Sequence, residues 1–388
     1  MKDKGRKILA FYVYDNQHEL VETTTRLLLE RGVKMDAICV TSFRYIKGTK
    51  TRWPWLIYIA NFFINKLKFP KAQGFFRTRL GNKYYKQLID KYDFIDFQSF
   101  PDSQVELAEY CISKQKEYMI GFWGSDLLRA KDEEMKRKKN SLDHSKVICV
   151  DAHMAKKINQ FFSENFGIDY GSKYKGSIEG ITNGNKDIFM LDGLTEKDIK
   201  KVESTFHDIK DKKLIVTIGY NGNPKQNQDK VLEILVKLPT GLKNKIHLVF
   251  PMTYAATSSH LAKIKKMVSD SGVSYKILDK FLTNKEICVL RAITNIFIMV
   301  QDTDAFAGSV RSHFYCQNVC LIADWIEYPL NKNGVYYKKV NWDNLLEIIS
   351  DVINNYEDNQ AKCISNKEKM LPFMTWDKYI DFMCKIYS

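Results

Sequence analysis

Two series of strand-like runs, each alternating with helix-like segments, constrain this chain more than any single motif does. The first series reads KILAFYVY (7–14), MDAICVTS (35–42), DFIDFQSF (93–100), YMIGFWGSD (118–126) and KVICVDA (146–152). The second reads KLIVTIGY (213–220), KIHLVFPM (245–252), SYKIL (274–278), NIFIMV (295–300) and VCLIA (319–323). Short, nearly continuous apolar runs suit strands covered on both faces. Helical patterns near 17–31, 103–116 and 152–165 separate the first set, and patterns near 226–237, 258–270, 284–293 and 308–317 separate the second. Strand–helix alternation implies right-handed βαβ units and parallel sheets. Two such series predict an α/β chain with two doubly wound, Rossmann-like domains facing across a cleft. Residues 1–190 are expected to form the first domain and 191–370 the second, joined near ITNGNKDIFMLDGLTEKD (181–198). Residues 371–388 are expected to form a helix packing back on the first domain. In open α/β sheets ligands bind at the carboxyl ends of the strands, so the loops there are where function is sought.

The 388 residues suffice for two domains, and 45% hydrophobic content excludes a disordered chain. No secretory signal is read: the apolar run after residue 7 stops at Asp15 and has no small-residue cleavage site. The eight cysteines form no C-x-x-C pair, which fits a reduced, cytosolic protein. No H-E-x-x-H, G-x-S-x-G or Walker A pattern appears, which argues against protease, hydrolase and NTPase chemistry.

Charge is distributed unevenly. Between Arg44 and Lys91 twelve Lys/Arg face one acid, Asp90, so this segment carries a net +11 of the formal +14. Within it lies TRWPWLIYIANFFINKLKFPK, whose apolar run is too short to span a bilayer, since a span needs about 20 apolar residues. As a helix it places Tyr58, Asn61, Asn65 and Lys68 in one polar stripe. Two readings stay open: a helix packed into its own domain, or an interfacial element. Charge favours the second, with Trp53, Trp55, Phe62, Phe63, Lys66 and Lys68 meeting an anionic membrane surface.

The loops carry the chemistry. GYNGNPKQNQ (219–228) follows a strand and precedes a helix; Gly219 and Gly222 permit tight turns, and Lys225 supplies a cation for a diphosphate. A Gly/Asn turn with a solvent lysine explains the same residues. In DTDAFAGSVRSHF (302–314), Gly308 and Ser309 fall where a helix begins and Arg311 lies close by. The D-x-D there also invites a metal-site reading, weakened by its place at the end of the fourth strand of a parallel series. In GFWGSDLLRA (121–130), Ser125 or Asp126 suits a helix cap, and Asp126 could equally act as a general base. Asp15 and His18 are alternative bases.

These stretches, in this order, resemble GT-B glycosyltransferases of bacterial surface-polysaccharide synthesis. Within that group they look like the TDP-Fuc4NAc (4-acetamido-4,6-dideoxygalactose) transferases, which act on a polyprenyl-diphosphate-linked acceptor. The resemblance runs over FWGSDLLRA, KLIVTIGYNGNPKQN, LVFPMTYA and LDKFLTNKEICVLRAITNIFIMVQDTDAFAGSVRSHFYCQNVCLI, about residues 118–325. It implies a nucleotide-diphosphate sugar as donor. Tyr220, Asn221 and Asn227 are expected beside Gly219, Gly222 and Lys225 in that site. The base is expected near Pro251, Met252 and Tyr254, and near Lys280, Phe281 and Leu282. Many retaining GT-B enzymes carry a Glu-x7-Glu pattern; laid over DAFAGSVRS, its positions are Asp304 and Ser312. The absent second acid favours an inverting enzyme, and the GT-B resemblance implies one that needs no metal and no cofactor. Lys225, Gly308, Ser309 and Arg311 are expected to hold the leaving diphosphate, and Trp123, Gly124 and Ser125 to contact a lipid-linked glycan acceptor. The enzyme is expected at the inner face of the cell membrane, in capsule, O-antigen or exopolysaccharide synthesis, with no nucleic-acid partner. Two competing expectations are a nucleic-acid-binding protein using segment 44–91 and a GT-B-shaped partner subunit without catalysis.

Overall fold

The computed structural model describes residues 6–13, 18–48, 50–52, 59, 70–206, 213–330 and 333–388, with backbone alone at 50–52, 70–78 and 125. Its contacts divide the chain into two compact units, 1–182 with 376–388, and 183–375. The junction therefore lies eight residues before the expected 190/191, and the chain re-enters the first unit at Trp376.

The first unit holds eight strands: β1 (Lys7–Tyr12), β2 (Lys34–Cys39), β3 (Tyr45–Lys47), β4 (Lys50–Arg52), β5 (Phe94–Phe97), β6 (Glu117–Gly121), β7 (Val147–Cys149) and β8 (Tyr174–Lys175). Their order is β4-β3-β2-β1-β5-β6-β7-β8. From β2 to β8 neighbouring strands run parallel, whereas β3 pairs antiparallel with β2 and β4 with β3. Ile8 through Tyr12 are fully buried, as a central strand covered on both faces requires. The helix Asp377–Tyr387 belongs to this unit. Its Ile380, Met383 and Tyr387 join the core of Ile8, Ala10 and Tyr12, and Tyr387 Oη donates to Asp96 Oδ2 at 2.7 Å. At the surface Arg31 meets Asp381 at 2.6 Å.

The second unit holds β9 (Leu214–Ile218), β10 (Ile246–Pro251), β11 (Ser274–Leu278), β12 (Ile296–Met299), β13 (Val319–Ala323) and β14 (Lys338–Val340). The order is β11-β10-β9-β12-β13-β14, all parallel. Helices Gln228–Leu235, Ser258–Ser269, Asn284–Ile293 and Gly308–Tyr315 fill the crossovers where helical periodicity predicts them. Strand order reverses between β9 and β12, and in the first unit between β1 and β5. A reversal sends successive crossovers to opposite faces of the sheet.

Among the described residues no helix is long and apolar enough to cross a membrane. Trp53, Trp55, Phe62, Phe63, Lys66 and Lys68 lie outside the described residues.

Candidate active site at the carboxyl ends of the strands

In the second unit the loops after β9 and β12 are bonded to each other by amide side chains. Gln226 Oε1 accepts from Tyr220 N at 3.2 Å, and its Nε2 donates to Gln301 Oε1. Asn227, in left-handed backbone at φ +57°, donates from Nδ2 to Val300 O (2.9 Å) and Asp302 Oδ1 (2.8 Å). Gln228 Nε2 closes the first loop by donating to the Ile218 and Asn221 carbonyls, each at 3.1 Å. Gly222 seats this loop against the one after β10. Its N–H donates to Tyr254 O at 2.9 Å, and a Cβ there would fall 2.5 Å from that of Ala256, so no larger residue fits.

Asp304 organises the second loop. Buried, it accepts four hydrogen bonds: Tyr220 Oη (2.9 Å) and Gln301 Nε2 (2.6 Å) on Oδ1, and Tyr328 Oη (2.8 Å) and Ala307 N (3.0 Å) on Oδ2. Burial, then Asp304, push both phenols well above their ordinary pKa, so they stay protonated donors. Asp302 is exposed and takes Asn227, so the two acids of the D-x-D point to different partners. Among the described residues no group of three His, Cys, Asp or Glu side chains converges on a metal position.

Several expected donor residues turn inward. Arg311 is buried, and its guanidinium donates to Asn183 O (2.5 Å), Phe373 O (2.6 Å) and Asn183 Oδ1 (3.1 Å). It fastens the start and end of the second unit to the helix Gly308–Tyr315 in place of a phosphate. Ser312 is fully buried, where Asn185 Nδ2 reaches its Oγ at 2.8 Å and Asp187 Oδ2 lies at 3.2 Å. Arg291 joins the same cluster, paired with Asp187 and donating to Ser309 Oγ at 2.9 Å. Burial draws both Arg291 and Arg311 down to about 10. The physical reason is one helix with two covered faces: Val310 through Tyr315 are all buried, so positions 311 and 312 have no solvent side. Pro251 and Met252 are buried as well, Met252 in the core. Gly308 and Ser309 open the helix and are half-buried. Lys225, Lys280, Tyr254 and Phe281 are exposed, Phe281 by 80%. Among the described residues no hydrogen bond or ion pair engages the Lys225 ammonium.

In the first unit Asp126 joins two carboxyl-end loops, accepting Trp123 N on Oδ1 (3.0 Å) and Phe100 N on Oδ2 (2.9 Å). Burial raises its pKa, against the lowering effect of these amides. Gly124 precedes it at φ +109°, ψ −69°, a conformation closed to residues with a Cβ. Trp123 is exposed, and Ser125 begins a short helix. His18 opens the helix after β1; its Nδ1 lies 2.7 Å from Tyr12 Oη and its Nε2 3.7 Å from Glu22. Asp15 lies outside the described residues.

The fold superposes on known structures along nearly its whole length. A glycosyltransferase from Rickettsia africae matches at TM-score 0.69 and 15% identity, over 99% of this chain and 98% of that one. Anabaena Alr3699/HepE, solved with UDP and glucose, matches at TM-score 0.69 and 11% identity, over 98% and 99%. The fold is GT-B. A UDP-forming α,α-trehalose-phosphate synthase from Burkholderia xenovorans gives the same GT-B match at TM-score 0.67 and 10% identity, over 99% and 100%. No protein-family model matches the chain, and no curated protein matches it. The residues that sequence reasoning missed are Gln226, Gln228, Gln301 and Tyr328, together with the Asp187–Arg291 pair. A glutamine carries no motif, and only the juxtaposition of the β9 and β12 loops gives these ones a role.

Proposed function

We propose that this protein is a glycosyltransferase, moving a hexosyl-type sugar from a nucleoside-diphosphate sugar to a glycan acceptor. One observation carries the reading. At the strand-order reversal of a GT-B second unit, two rigidly cross-linked loops present an exposed lysine, Lys225, and the start of a helix, Gly308–Tyr315. The first turn of a helix has N–H groups without intrahelical acceptors and suits a diphosphate. Lys225 and the N–H groups of Gly308 and Ser309 would take up negative charge as the glycosidic C–O bond to the diphosphate breaks. Tyr254 and Phe281 offer exposed rings for the base. Asp126 is the proposed base for the acceptor hydroxyl; its carboxylate accepts the Phe100 and Trp123 N–H groups and has lone-pair capacity beyond them. The structures of HepE with UDP and with UDP-glucose support a donor of this class. In this reading no step is assigned to a metal, and the reaction is inverting.

The finer reading rests on sequence. The resemblance to the TDP-Fuc4NAc transferases and the +11 segment 44–91 support a polyprenyl-diphosphate-linked acceptor. They also support peripheral attachment at the inner membrane face and a role in surface-polysaccharide synthesis. A thermal-shift screen of UDP-, GDP- and TDP-sugars tests the donor. At least one should raise the melting temperature of the wild type and not of Lys225→Ala; no shift with any of them would overturn the assignment. A catalytically silent GT-B subunit is the second reading, favoured by the engagement of both Asp126 oxygens; turnover lost in a folded Asp126→Asn variant would remove it.

A further inference from the structure

The first unit has a cavity of about 660 Å³ that the transferase reading does not use. Lys7 and Lys34, the first residues of β1 and β2, line it, so it opens at the amino ends of the strands. The candidate catalytic loops leave the opposite ends. Lys7 and Lys34 are register partners on adjacent parallel strands, which lie about 4.8 Å apart. Lys47, from β3, and Lys91, just before β5, complete a set of four exposed lysines. Among the described residues no carboxylate pairs with any of the four ammonium groups.

Asp36 is the one acid in the lining, and it is engaged elsewhere. Its carboxylate accepts from Tyr92 Oη (2.6 Å), Tyr45 Oη (3.1 Å) and Gly48 N (2.9 Å). The two phenols touch each other at 2.6 Å, and burial pushes both well above their ordinary pKa, so they stay neutral. Leu29, Met35 and Leu88 supply an apolar wall. Four like charges around one concavity repel each other unless an anion sits among them. The size falls within the range of small-molecule sites, roughly 300–1,000 Å³.

We propose that this cavity is a second ligand site, which binds a phosphate-bearing molecule between Lys7, Lys34, Lys47 and Lys91. The phosphate lies among the ammonium groups, and the organic part rests on the apolar wall and the tyrosine rings. The same chemistry could come from a soluble phosphorylated compound or from a phospholipid headgroup.

The test uses the full chain carrying Lys225→Ala, which disables the proposed donor loops, with and without Lys34→Ala and Lys47→Ala. Inorganic pyrophosphate is titrated calorimetrically, and co-sedimentation is measured with phosphatidylglycerol and phosphatidylcholine vesicles. We expect the double substitution to weaken at least one anionic probe tenfold or more, with an unchanged circular-dichroism melt, since all the lysines are exposed. Loss of pyrophosphate alone identifies a soluble ligand. Loss of phosphatidylglycerol alone identifies a headgroup. The control Lys200→Ala/Lys201→Ala removes equal charge from the second unit and should change neither. Equal weakening by the control, or no weakening of either probe by the pocket substitutions, overturns the proposal.

Discussion

Asp304 and Asp96 are both buried carboxylates, one in each unit, and their surroundings could hardly differ more. Asp304 receives four donors from its own loop, from Tyr220 and from Tyr328. Asp96, fully buried on β5, receives Tyr387 Oη at 2.7 Å and Gln98 Nε2 at 3.2 Å, both on Oδ2. Its Oδ1 has no partner among the described residues. Burial lifts the Asp96 pKa to about 6 against the two hydrogen bonds. The difference teaches that burial alone does not define a carboxylate's role. Asp304 organises a loop at the carboxyl end of its strand, whereas Asp96 anchors a returning C-terminal helix at an electrostatic cost.

The most direct way to break this comparison is Asp304→Ala. It strands two hydroxyls, an amide side chain and a backbone N–H, each of which costs on the order of 1–3 kcal/mol when buried without a partner. Allowing for relaxation, we expect about 3–5 kcal/mol of lost stability in denaturant titration; a loss below about 1 kcal/mol would show that the network is dispensable.

Lys225→Ala probes the same loops from outside. If the network alone holds the loop, melting stays unchanged while kcat/KM falls roughly 100-fold, the scale of losing one preorganised charge contact. Steady-state kinetics beside a melting curve separates the two effects.

For Asp96 the sign follows from linkage. Its folded-state pKa, about 6, exceeds the unfolded value near 3.8. The native state therefore holds the proton more tightly, and this group's contribution to stability falls as pH rises from about 4 to 6. The loss is on the order of 2–3 kcal/mol, at 1.36 kcal/mol per unit. Asp96→Asn should remove that part of the pH profile and leave the variant relatively more stable at pH 7 than at pH 4. A difference profile flat across this range would refute the assignment.

The smallest effect is expected at Phe281. Because its ring is 80% exposed, Phe281→Ala should leave stability within about 0.5 kcal/mol. Nucleotide affinity should drop a few-fold, measured by calorimetry.

Much of the fold was legible because central strands announce themselves. Ile8–Tyr12 and Ile296–Met299 are buried on both faces, and their runs are apolar throughout. Three short outlying strands were not: YIK, KTR and KKV carry little apolar pattern, and they become strands only by pairing with a neighbour. The carboxyl-end loops were also legible, since Gly222 and Gly124 sit where the backbone needs them. Arg311 misled for a physical reason. A cation at a helix start looks like a phosphate ligand, and nothing local shows that the helix is enclosed. Ser312, laid over a Glu-x7-Glu position, is enclosed with it. Their partners, Asn183, Asp187 and Phe373, lie more than 60 residues away.

Sequence by itself determined the two doubly wound parallel sheets and the loops at the carboxyl ends of their strands. These follow from local patterning, in which periodicity, burial and turn chemistry agree within a few residues. The tertiary structure decided which polar side chains are offered to a ligand and which are consumed inside. That choice depends on long-range neighbours: the amide bridges between loops, the carbonyls that claim Arg311, and the tyrosine of the last helix that covers Asp96. The four lysines around one cavity are likewise scattered from residue 7 to residue 91, and only strand register brings them together.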